Sequence, residues 1–183
     1  MENCKAQEYL DGLPQGRYVG VDPGENGAFT KLLILDDQYL DWAPTNGVEA
    51  YKKWVDAKFS KEKTCLKEVK SRIFVERERV SMLMSPKAAT TFMTGYGFCL
   101  GVCYSFQIEP TLYDPQEWMK ILGLNNLLAN PDGSKPTAAQ KKRHHTAQIR
   151  ALWGEYVKDV PDYAVDAYGI LLAGLIELSK TKK

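Results

Sequence analysis

Four carboxylates stand where this chain could do metal chemistry. Asp22 closes the predicted strand Arg17–Asp22, and Glu76 closes the predicted strand Arg72–Glu76. In open α/β sheets ligands gather just beyond the carboxyl ends of strands, so two neighbouring strands of this kind would bring both acids to one edge. Asp162 and Asp166 lie four residues apart at the opening of the last predicted helix and share a face of it. Asp166 is surrounded by Ala164, Val165, Ala167, Tyr168, Ile170 and Leu171, and an aspartate in so apolar a helix is costly unless it has a partner. Each of the others also has a plain structural use. Asp22-Pro-Gly is turn chemistry, Glu76 opens the run Glu-Arg-Glu-Arg, and Asp162 behind Pro161 suits a helix N-cap. Converging carboxylates repel one another and call for cations, and hard oxygen donors suit Mg²⁺ or Mn²⁺. Two such ions about 4 Å apart can activate a water and stabilise the leaving oxygen of a phosphodiester.

A phosphodiester also needs cationic side chains. From Gly133 to Gly154 no acidic residue occurs, while Lys135, Lys141, Lys142, Arg143 and Arg150 are present together with His144 and His145. The chain as a whole has 24 Lys+Arg against 23 Asp+Glu, a net charge of +1. A polyanion partner must therefore be held by this local stripe and not by bulk charge. The stripe would offset the acids that otherwise repel DNA, and Lys141 or Lys142 could reach the scissile phosphate, as could His144 and His145 if they do not merely cap the patch.

The elements that must position these residues follow from periodicity and turn signals. Ala28–Leu35 and Tyr39–Trp42 continue the first strand as an antiparallel meander. A helix is predicted over Gly47–Lys58, with Val48, Tyr51, Trp54 and Val55 at helical spacing, followed by the charged connector Lys61–Lys70. Ser85-Pro86 opens a long helix, with proline suited to its first turn. Within it, Ala88–Ile108 carries no charge over 21 residues, yet its glycines and hydroxyl residues suit a buried core helix better than a membrane span. Thr111–Asp114 reads as a strand, Gln116–Leu122 as a short helix, Asn125–Pro136 as a mobile loop, and Thr137–Trp153 and Asp162–Leu178 as helices. The alternation argues for an α/β fold, a mixed sheet with helices on its faces.

With 183 residues, 44% hydrophobic and 26% charged, the chain is expected to form one domain over 1–183, with flexible tails at 1–16 and 180–183. The composition excludes a disordered chain, a collagen and a coiled-coil rod. Met1–Gly16 has no apolar core of a signal peptide. Cys4, Cys65, Cys99 and Cys103 form no C-x-x-C pair, and Cys99 and Cys103 read as buried small hydrophobes in a reducing compartment, so a cytoplasmic protein is expected.

The motifs together resemble the RuvC-type Holliday junction resolvases. Gly20-Val-Asp22-Pro-Gly24, with Gly27 following, is similar to their first motif, and Ile73-Phe-Val-Glu76 to their second acidic strand. Pro115 with Trp118, Lys120 and Gly123 resembles the Pro-x-x-Val-Lys segment after their last strand. Lys141 and Lys142 resemble the opening of their Lys-rich helix, and Asp166-Ala167-Tyr168-Gly169-Ile170 their Asp-Ala-hydrophobic signature. The order holds from Arg17 to Ile176. The resemblance implies an RNase H-like five-stranded mixed sheet, a homodimer, and Mg²⁺-dependent nicking of four-way DNA junctions in recombination and repair. It carries over Asp22, Glu76 and Asp166 as metal ligands. Bacterial members often place a fourth aspartate three residues before the last; here that position is Tyr163, and Asp162 is the substitute. Where they carry an aromatic wedge, this chain has Ser81, Met82, Leu83 and Met84, of which Met82 and Met84 could pry bases apart. These departures, with the extra Ser134–Thr137 loop, resemble a phage-type relative.

Three other functions compete. One is an RNase H-like nuclease acting on flaps, branched DNA or RNA–DNA hybrids. Another is an actin or sugar-kinase type ATP-binding domain, whose phosphate loop also uses an Asp-x-Gly turn but whose two lobes usually need about twice this length. The third is a catalytically silent DNA-binding module, which has little use for these carboxylates. Gly97-x-x-x-Gly101 permits close helix approach, to the sheet or to a twin helix.

Overall fold

A computed structural model describes residues 5–23, 27–34, 38–44, 71–77, 84–105, 107–125 and 134–181. The helix expected over 47–58, the connector 61–70 and Met82 lie outside these residues. Strands β1 (Gly16–Asp22), β2 (Ala28–Ile34) and β3 (Gln38–Pro44) form the antiparallel meander, and β4 (Ser71–Glu76) and β5 (Thr111–Tyr113) add in parallel to its other side. The order across the five-stranded sheet is β3-β2-β1-β4-β5. The parallel register Val21↔Val75 leaves Asp22 and Glu76 as the next residues in line on adjacent strands.

Side-chain alternation divides the core between two faces of the sheet. Val19, Val21, Phe29, Ile73 and Val75 point to one face and meet Tyr96, Cys99 and Cys103 of helix α2 (Pro86–Ser105). Neither of these two cysteines is in a disulfide. Tyr18, Leu32, Phe74 and Tyr113 point to the other face, where they meet the last helix, α5 (Val165–Lys180). Helices α3 (Pro115–Ile121) and α4 (Ala138–Trp153) cover α5 with Trp118, Ile149 and Trp153. Helix α5 is therefore buried almost all round, from Ala167 through Ile176, which explains its near-continuous apolar sequence. Glycine lets α5 lie directly on β1. A Cβ on Gly20 would stand 2.2 Å from the Ala167 carbonyl oxygen, so any side chain there would push α5, and Asp166 with it, away from Asp22.

One expectation about the ends is corrected. Residues of the N-terminal segment are packed: helix α1 (Gln7–Leu10) buries Leu10, Ala6 is fully buried, and the Ala6 N–H donates to the Leu152 carbonyl at 2.9 Å. Ala6 and Leu10, four apart, make a one-turn apolar stripe in a polar stretch too short to read as a helix. At the other end α5 runs to Lys180, and Lys182 and Lys183 of the expected flexible tail lie outside the described residues. The last helix also begins differently from expectation: Asp162–Ala164 form a separate 3₁₀ turn, and Asp162 is not the cap of α5. No helix among the described residues is long and apolar enough to cross a membrane.

Candidate active site

Asp22 lies half-buried at the carboxyl end of β1. The turn that follows is held close to α2: a Cβ on Gly95 would come within 2.8 Å of the Pro23 carbonyl oxygen. Glu76, at the end of β4, pairs in register with Tyr113 of β5. Its Oε2 accepts a hydrogen bond of 2.6 Å from the Trp118 indole N–H. Asp166 occupies the first turn of α5, where its Oδ2 accepts from the Lys142 ammonium of α4. The other oxygen, Oδ1, is buried and has no hydrogen-bond partner among the described residues.

These groups share one electrostatic field. Burial pushes the Glu76 carboxyl up to about 8; the negative charges of Asp22 and Asp166 add to the rise, while the Trp118 hydrogen bond and the Lys142 charge oppose it. Burial likewise pushes the His145 imidazole below its ordinary value, against the pull of Asp166. His145 Nε2 is buried without a partner among the described residues.

The structure thus brings together Asp22, Glu76, Asp166 and Lys142. It does not bring Asp162 to them. That side chain is 80% exposed and pairs at 2.9 Å with Arg150, because the 3₁₀ turn rotates it away from the direction of Asp166. Arg150 is likewise engaged elsewhere: its guanidinium donates to the carbonyls of Val157 and Val160 as well as to Asp162. Lys135, Lys141 and Arg143 are exposed, and Met84 is half-buried just ahead of α2. Trp118 is a site neighbour that the sequence did not single out for this role, and only the folded contact between α3 and β4 reveals it. The sequence singles out His145 only as a member of the basic stripe.

The donor set tests well against a divalent cation on chemistry. It is carboxylate oxygen, suited to Mg²⁺ or Mn²⁺, and Asp166 Oδ1 is a buried acceptor that no donor among the described residues satisfies. The spacing is less closed. No group of three or more His, Cys, Asp or Glu side chains among the described residues is placed to hold a metal ion. Lys142 supplies the positive charge at Asp166 instead.

The fold resembles that of RuvC. The chain superposes on Thermus thermophilus RuvC in complex with a Holliday junction substrate with a TM-score of 0.55 at 13% identity, covering 90% of this chain and 96% of that one. On another structure of Thermus thermophilus RuvC the TM-score is 0.53 at 14% identity over the same shares. No protein-family model matches the sequence, and no curated protein matches it.

Proposed function

We propose that this protein is a Mg²⁺-dependent, structure-selective endodeoxyribonuclease acting on branched DNA, with four-way junctions as its main substrate. The observation that carries the reading is the burial of Glu76 against Asp22 and Asp166 at the strand ends of a RuvC-like fold. Such mutual repulsion is a stability cost, and a catalytic cation site gives it a use. Asp22, Glu76 and Asp166 would hold the ions, Mn²⁺ serving in place of Mg²⁺. When bound, divalent ions supply an activated water and offset charge on the leaving oxygen. The residues of this chain do the rest. Glu76 would act as a ligand in its ionised form, its proton passing to solvent. Lys142 leaves Asp166 and turns its ammonium toward the phosphate being cut, where it stabilises the transition-state charge. Lys135, Lys141 and Arg143 hold flanking phosphates, and Met84 meets the unstacked bases.

Resolution of a four-way junction takes two symmetric nicks, so two sites must act together. The protein is accordingly proposed to work as a homodimer, with α2 around Gly97 and Gly101 facing its twin; a Cβ at either glycine would meet nothing within 4 Å in one copy. The test is cleavage of matched duplex, flap, Y-branch, RNA–DNA hybrid and four-way substrates with Mg²⁺. Paired symmetric nicks on the four-way DNA are expected. Preference for flaps or hybrids by a monomer would replace the junction assignment, and no cleavage of any of them would remove the nuclease assignment.

A further inference from the structure

We infer that Trp118 is a positioning residue for Glu76, and that Gly169 is glycine so that the Trp118 indole can reach it. The inference rests on the nuclease reading and adds to it the device that aims one of its three carboxylates.

Trp118 is only 2% exposed, and its single donor is spent on Glu76 Oε2 at 2.6 Å. A buried indole N–H needs an acceptor, and a carboxylate with one oxygen so held keeps the other in a fixed direction. The path between the two residues is short and stiff. Glu76 pairs with Tyr113 across β4 and β5. Asp114 follows, and its backbone N–H donates to the Glu117 carboxylate at 2.7 Å, while Pro115 fixes the first turn of α3. Trp118 comes one turn later. Tyr113 is itself anchored from the other side by its hydroxyl, which donates to Glu177 at 2.6 Å. Strand, cap and indole therefore form a closed frame around the Glu76 carboxyl.

The frame closes only because α5 gives way. Gly169 lies three residues beyond Asp166 on α5, and a Cβ there would stand 2.9 Å from Trp118 Cζ3 and 2.9 Å from Ile149 Cδ1. Both are ring or side-chain atoms walled in by the core, so neither can retreat without moving α3 or α4. One helix thus presents Asp166 to the site and, a turn later, the gap that lets Trp118 steady Glu76.

Partners of this kind, which orient a metal-binding carboxylate, typically contribute about 10–100-fold to metal affinity or activity. The experiment titrates Mn²⁺ into the full chain, reading free Mn²⁺ by paramagnetic resonance, with DNA affinity in EDTA and thermal unfolding measured on the same samples. Trp118→Phe keeps the ring and removes the donor. Gly169→Ala keeps the donor and displaces the ring. Both are expected to weaken Mn²⁺ binding about 10–100-fold while DNA affinity in EDTA stays unchanged. Glu76→Gln is the reference. Should Glu76→Gln bind Mn²⁺ like the parent, the metal reading itself is wrong. Weakening by Glu76→Gln with parental binding by both other variants overturns the positioning role alone. Equal loss of DNA affinity and metal affinity would make Trp118 a packing residue and overturn it too.

Discussion

The two ends of α4 carry the same kind of residue and do different work. Near its N-terminus, capped by reciprocal hydrogen bonds between Thr137 and Gln140, Lys141 and Arg143 are exposed and Lys142 reaches Asp166. Near its C-terminus Arg150 is only 28% exposed and closes on the carbonyls of Val157 and Val160 and on Asp162. The first end meets solvent and the carboxylates, at the positive pole of the helix dipole, where an approaching phosphate is favoured. The second ties down the segment from which Asp166 departs. A uniform basic stripe in the sequence is thus a working half and a holding half in the fold.

The largest effect should come from the carboxylate that the working half touches. Asp166→Asn is expected to lower nicking on the order of 10³-fold while junction binding in EDTA persists, since metal charge is lost and phosphate contacts are not. Asp22→Asn should behave alike. Near-normal cleavage by both would break the link between α4 and the chemistry. Next, replacing Lys141, Lys142 and Arg143 together by Ala should weaken DNA binding and flatten its salt dependence by about one unit per lost phosphate contact. Lys142→Ala alone should slow cleavage at saturating protein, which affinity loss cannot do. A salt slope unchanged in the triple variant would show that DNA is held elsewhere.

Arg150→Ala sharpens the contrast from the other end. It strands two backbone carbonyls and Asp162, so denaturant titration should show a loss of about 1.5–3 kcal/mol, with the salt slope of DNA binding unmoved. If it moves the slope as much as the triple variant does, the division of α4 fails. A further effect concerns pH. With Glu76 held near 8 against an ordinary 4.5, the folded protein binds a proton across that window that the unfolded chain has released. Stability of the metal-free protein should therefore decline as pH rises from about 4.5 to about 8. Thermal melts across this range should show a steeper decline in the parent than in Glu76→Gln.

Local pattern carried much of this fold. The strands Gly16–Asp22, Ala28–Ile34 and Ser71–Glu76 were legible because β-branched runs end in dense turn signals, and Asp166 stood out because a charge in an apolar helix has no cheap explanation. Asp162 misled for a physical reason. Spacing of four promises a shared helix face, but a 3₁₀ turn replaces α-helix there and Arg150 competes for the carboxylate. Helix α1 escaped notice because it is one turn long and held by tertiary contacts with Leu152 and its neighbours. Trp118 enters the sequence reading only as part of the segment after the last strand; that its N–H points at Glu76 depends on the β4–β5 register and on a glycine 51 positions away.

Strand β5 has three residues, Thr111–Tyr113, bracketed by Pro110 and Pro115. A sheet margin this short offers few free amide groups, and proline withholds its own on either side. Such a margin is a poor template for strand addition by another chain, although the strand carries no charged guard residue.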